Sequence, residues 1–295
     1  MPDGLETWWY DFARSLNRRG RSKATVGLYR QVYDYFWRWA LDEGVQTPEQ
    51  VTTATVNQWV DSLREHVAPA SVAIRWRNLR PFFSWWAKET DQPNPFKRAD
   101  VPTAALEPPE VIHLDDIRKL LDTCKGRDFA SLRDAAVIRI LFDTGCRRGE
   151  LVNLRLDDWD RRQDFLTLRG KTGMRVVPIS PSTGEALARY VRGRSSHPAA
   201  GRTDALWLGG KGALGDSGVS QLLARRCREA GLPRLHPHQF RHTFSHEFRA
   251  QGGSEGDLMY LAGWKSTAMA HRYGVSAAAS RAREAHRRLG LGDRL

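Results

Sequence analysis

His236-Pro237-His238-Gln239-Phe240-Arg241-His242-Thr243-Phe244 is the stretch on which the reading of the chain turns. Pro237 has no backbone N–H to give, so it belongs at a helix entry and not in a helix interior. His238 and Arg241 then fall on the first turn, and residues three apart on a helix share a face. Arg offers a planar fork of charged donors and His offers a donor or a proton, which together suit a phosphate oxygen. The rest of the sequence is read for what else could converge on that phosphate.

The chain has 295 residues, 41% of them hydrophobic, enough for a sizeable core and more in keeping with two domains than one. A formal charge of +12 points to a polyanionic partner, because neutralised phosphates release condensed counterions. Nucleic acid ranks above a membrane surface, since the Lys and Arg residues are spread throughout and not gathered in one amphipathic anchor. No signal peptide, lipidation motif or spanning apolar run is present, so a cytoplasmic location with no membrane association is expected. Cys124, Cys146 and Cys227 are isolated and odd in number, which fits a reducing compartment and gives no metal clip.

From Leu5 to about Glu89 the pattern is helical, broken at 17–21, 44–53 and 66–70. Ser22 and Thr25 mark a helix start, after which Val26, Tyr29, Val32, Tyr33, Phe36 and Trp37 recur at helical spacing. Val56, Trp59, Val60 and Leu63 form a second stripe. Val72, Trp76, Leu79, Phe83 and Trp86 form a third, and such stripes bury one another in a small bundle. Eight of the eleven Trp residues lie here and read as core, although the adjacent pairs Trp8-Trp9 and Trp85-Trp86 are not expected to face inward equally, leaving one of each for a partner subunit. Arg18, Arg19, Arg21, Lys23, Arg75, Arg77 and Arg80 fall on other faces and are candidate contacts to a DNA backbone. Pro81 should kink or split the last helix. Asp91 to Pro109, with five prolines, reads as an extended linker.

Beyond the linker, a helix from about Leu132 to Asp143 is apolar nearly all round and therefore buried. It ends in Thr144-Gly145-Cys146-Arg147-Arg148-Gly149-Glu150-Leu151, where Gly145 permits a turn and a new helix start carries Arg147 on a rigid mount. Glu150 can hold Arg147 by a salt bridge or brace the turn; the bland alternative is a surface pair of little energetic value. Asp164–Arg169 and Arg175–Ile179 flank Gly170-Lys171-Thr172-Gly173-Met174 and make a β-hairpin with Lys171 at its bend. A helix through 219–230 bears Arg225, a further candidate DNA contact, and a short helix ends near Gly263-Trp264. Tyr273 follows in His271-Arg272-Tyr273-Gly274. His238, His242 and His246 are spaced as metal ligands on one helix, but Arg241 among them would repel a cation, and His242 reads better as a packing or hydrogen-bonding helper.

Arg147 in T-G-C-R-R-G-E-L, Lys171 in the hairpin, His238 and Arg241 in H-Q-F-R-H, Trp264 in L-A-G-W-K-S and Tyr273 in H-R-Y-G, taken in this order, resemble the tyrosine recombinases, or phage integrase family, in their two-domain, Xer-like form. Trp264 stands where the family often has His. The resemblance implies a mainly α fold with a small β-hairpin or sheet (α+β). It implies an N-terminal helical core-binding domain over 1–104, a linker to about 110, and a catalytic domain over 111–295 with a C-terminal tail helix. By the same resemblance four subunits assemble on two double-stranded DNA sites, and the segment 277–295, with Ala282, Ala285 and Leu289, docks on a neighbouring subunit.

The implied roles are chemically coherent. Tyr273 attacks a phosphodiester and keeps the ester's energy as a 3′-phosphotyrosyl link, so neither ATP nor another cofactor is expected. Arg147 and Arg241 stabilise charge on the nonbridging oxygens, His238 assists proton movement, Trp264 positions the phosphate and Lys171 protonates the leaving 5′ oxygen. So many basic groups on one phosphate leave no need for a divalent metal. The expected function is site-specific recombination in integration, excision or dimer resolution. A topoisomerase-like relaxase and a nonenzymatic DNA-binding regulator on the same fold are the alternatives.

Overall fold

The computed structural model describes residues 2–103, 110–171 and 173–267, with Arg283, His286, Arg287 and Arg288. It divides into two compact units, 1–107 and 108–295. The residues 104–109, across which the boundary falls, lie outside the described residues.

The first unit is built from α1 (Asp3–Arg18), α2 (Lys23–Asp42), α3 (Thr53–Arg64) and α4 (Pro69–Thr90). Ser22 caps α2 by accepting the Thr25 backbone N–H at 3.2 Å, and the Thr52 and Thr55 side chains close a capping box on α3. Arg30 on α2 grips both carboxylate oxygens of Glu6 on α1, and the Tyr33 hydroxyl donates to the Leu5 carbonyl at 2.7 Å. Between the helices an aromatic core centres on Phe12, Tyr33, Phe36, Trp37, Phe82 and Phe83.

Three expectations change here. Trp85 and Trp86 are both buried, at 7% and 2% exposure. The reason is that α4 is covered on more than one side: Trp85 meets Trp8 and Phe12 of α1, while Trp86 packs edge-on to Phe83. Pro81 does not split α4, which runs unbroken from Pro69 to Thr90. Arg77, four residues earlier, is exposed, so water can reach the side of the helix where Pro81 withholds its hydrogen bond. The stretch after α4 is not all linker. Phe96 and Ala99 are buried in the aromatic cluster, Phe96 stacks on Phe83, and Thr53 and Asn57 of α3 bond Pro95 and Asp100.

The second unit contains α5 (Leu114–Asp122), α6 (Phe129–Thr144), α7 (Arg148–Val152), α8 (Pro181–Arg194), α9 (Asp216–Glu229), α10 (Pro237–Ala250) and α11 (Glu255–Ala262). Strands β1 (Trp159–Asp160), β2 (Phe165–Gly170) and β3 (Gly173–Pro178) make an antiparallel sheet in that order, and β4 (Leu208–Gly209) pairs with β5 (Gly212–Ala213). The fold is thus mainly α with small antiparallel sheets. Helix α6 is the core: Ala136, Val137, Ile138, Ile140 and Leu141 have no exposed surface, and α8 and α10 pack against it. The Ile112 N–H donates to the Thr243 hydroxyl at 2.9 Å, tying the start of the unit to α10.

Candidate active site

Helix α6 ends at Gly145, whose φ of +55° is the left-handed cap conformation. A Cβ there would also lie 2.4 Å from the Phe244 ring of α10, so glycine is required by backbone and by packing alike. The chain turns at this point and Arg147 becomes the N-cap of α7. Glu150 reaches back to accept the Arg147 backbone N–H at 2.9 Å and its guanidinium at 2.8 Å, doing both things the sequence allowed. This is no surface pair, because Glu150 is 2% exposed.

A residue not singled out in the sequence completes the cluster. Arg175 on β3 is 7% exposed and donates a two-pronged fork to Glu150, each bond 2.9 Å. Its Nε donates to the Leu261 carbonyl at 2.7 Å. The alternation of β3 was the available signal, but an Arg between Met174 and Val176 reads as a solvent-facing charge. Strands β2 and β3 pair from Phe165↔Pro178 to Gly170↔Gly173, which leaves Lys171 exposed at the bend. A Cβ on Gly170 would lie 2.7 Å from Glu150 Oε1, so the hairpin stem rests directly on the Arg147 turn.

On α10, Arg241 is 1% exposed, whereas His238 one turn earlier is exposed. The guanidinium of Arg241 donates to the Gly145 carbonyl at 2.7 Å and the Ala262 carbonyl at 2.6 Å, and that of Arg147 donates to the Gly263 carbonyl at 3.1 Å. Leu261, Ala262 and Gly263 are the end of α11, where carbonyls lack helical partners and the helix dipole is negative. Three arginines from three elements cap three successive carbonyls there. Trp264 is buried, with the Arg241 guanidinium carbon 5.0 Å from its ring centre. His242 packs edge-on to His238 at 4.8 Å. His238, Arg147, Arg148 and Asp216 line one cleft of about 340 Å³.

Burial would raise the Glu150 carboxyl, but the Arg175 fork and the Arg147 backbone and side chain hold it down at about 2. Arg241 is lowered to about 10, first by burial and then by the charge of Arg147, only partly offset by Glu150. One carboxylate against three guanidiniums leaves excess positive charge, the electrostatic condition for binding an anion. Cys146, beside Arg147, has its thiol pushed up to about 11 by burial, so it is a neutral packing group.

The remaining candidates divide. Arg18, Arg19, Arg21 and Lys23 are exposed around the α1–α2 junction, and Arg77 is exposed on α4. Arg75 and Arg80 lie over the rings of Tyr35 and Trp76. Arg225, 42% exposed in its side chain, pairs with Asp134, a fully buried carboxylate that also binds Arg133 and Arg226. Tyr273 and the proposed docking positions Ala282, Ala285 and Leu289 lie outside the described residues. No helix among the described residues is long and apolar enough to cross a membrane.

Comparison with known proteins gives a consistent result. The model of the phage integrase family matches residues 110–279. The tyrosine recombinase XerD of Listeria innocua serovar 6a is 30% identical over 256 residues, covering 83% of this chain and 85% of the relative. The tyrosine recombinase XerC of Anoxybacillus flavithermus is 28% identical over 250 residues, covering 82% and 83%. Among solved structures, the Tn1549 transposon integrase in complex with transposon right end DNA has a TM-score of 0.78 at 20% identity, covering 96% of this chain and 99% of that one. That likeness is one of fold.

Proposed function

The chain belongs to the phage integrase family of tyrosine recombinases, and we propose that it recombines double-stranded DNA at a specific site through Tyr273 and the basic cluster around Glu150. The phenolic oxygen of Tyr273 bonds to phosphorus as the bond to the 5′ oxygen breaks. Lys171 gives that oxygen its proton, and a 3′-phosphotyrosyl link remains until a second 5′-hydroxyl attacks it and releases the tyrosine. Arg147 and Arg241 meet the nonbridging oxygens, while His238 accepts or returns the phenolic proton. Trp264, packed on Arg241, positions the phosphate, and Glu150 holds Arg147.

The observation that carries this reading is the capping of successive carbonyls at the end of α11 by Arg175, Arg241 and Arg147. It makes the charged groups rigid before any ligand arrives, and preorganised charge is what stabilises a phosphoryl transition state. The assembly that fits is four subunits on two DNA sites, with residues 1 to about 104 clamping DNA and 111 onward acting on it, in the cytoplasm.

The decisive experiment incubates the protein in EDTA with DNA from the flanks of its own gene, comparing wild type with Tyr273→Phe. A denaturation-resistant protein–DNA adduct with wild type alone is expected, with binding retained in the variant. An adduct that persists in Tyr273→Phe would sink the nucleophile assignment.

A further inference from the structure

None of the chemical steps above uses Arg175, yet its three hydrogen bonds join two parts of the site. Its Nη1 and Nη2 hold both oxygens of Glu150, which holds the Arg147 backbone and guanidinium. Its Nε holds the Leu261 carbonyl, and Gly263 passes so close that a Cβ there would lie 2.9 Å from Nη1. Arg175 also stands opposite Leu168 in the ladder whose far end carries Lys171. An exposed hairpin tip points wherever its stem is anchored, and these bonds are an anchor made of polar groups from the site itself.

We propose that Arg175 is a positioning residue for strand transfer: by pinning β3 to Glu150 and to the end of α11 together, it sets where Lys171 meets the leaving 5′ oxygen. This rests on the reading of Lys171 as the general acid. Lysine does not replace it, because an ammonium is a point donor and lacks the planar fork that engages two carboxylate oxygens and a carbonyl at once.

The test measures single-turnover cleavage of a duplex carrying the site mapped from the trapped adduct, made with either oxygen or sulfur at the scissile 5′ bridging position. A thiol leaving group has a pKa of about 8.5 and departs as thiolate without a proton donor. Arg175→Lys, which keeps the buried charge, is expected to bind DNA as wild type does. It should cleave the oxygen duplex ~100-fold more slowly or worse and regain most of that loss on the sulfur duplex, in parallel with Lys171→Ala. Near-wild-type cleavage of the oxygen duplex overturns the proposal. So does an equal loss on both duplexes while Lys171→Ala is rescued, which leaves the general-acid reading standing. If Lys171→Ala is not rescued by sulfur, that reading falls and takes the proposal with it. Loss of DNA binding and of cooperative unfolding in Arg175→Lys would make the residue a fold determinant and likewise overturn it.

Discussion

Glu150 has neighbours that give it a measurable signature in acid. Its folded-state pKa lies at about 2, below the ordinary 4.5, so its stabilising effect is complete above pH 4.5 and is lost as pH falls through about 2. The size of that contribution is on the order of 3 kcal/mol. Urea midpoints measured across this window should fall steeply for wild type. Glu150→Gln should show a shallower acid slope, starting from lower stability at pH 7, because it leaves Arg175 and Arg147 facing an uncharged amide. An acid slope unchanged in the variant would mean that other carboxylates dominate.

At the scale of elements, the junction between α6 and α7 depends on a glycine. Gly145→Ala forces a Cβ into the left-handed region and into the Phe244 ring, and should destabilise the chain by about 2 kcal/mol or more. It should also slow cleavage, since the Gly145 carbonyl accepts from Arg241. Gly27→Ala on α2 is the opposite case: its Cβ meets open space in a helix, so a gain of about 0.5–1 kcal/mol is expected. Chemical denaturation of the two variants checks both signs. The hairpin follows the same logic, because the bend after Gly170 exposes Lys171 while Gly170 itself must stay small against Glu150.

The whole molecule carries a formal charge of +12, and its effect on DNA binding is testable by salt dependence. If Arg19 and Arg21 meet phosphates, replacing each by Ala should reduce the slope of log affinity against log salt by about 0.9 and leave thermal stability unchanged. Arg225→Ala should do the reverse, lowering stability with little change in slope, because it removes a partner of the buried Asp134 carboxylate. Filter-binding titrations at several salt concentrations, with melting curves, separate the two classes.

The sequence by itself determined the elements and the order of the candidate site residues. Apolar residues at helical spacing marked the bundle, Pro237 and Gly145 marked where helices begin and end, and Lys171 between two glycine-bounded strands marked a hairpin bend. These are local properties, and chain sterics and periodicity express them without long-range contacts. Tertiary structure alone decided which faces turn inward. Trp85 and Trp86 are both buried because α4 is wrapped by neighbours, and Phe96 joins their core although it follows the helix in a proline-rich stretch. On β3 one step runs against hydropathy, with Arg175 inside on the face of the buried Val177 while Val176 is 42% exposed. The register of the β2–β3 hairpin turns Arg175 inward, and the Glu150 carboxylate and Leu261 carbonyl, 25 and 86 residues away in the chain, outweigh the cost of burying its guanidinium.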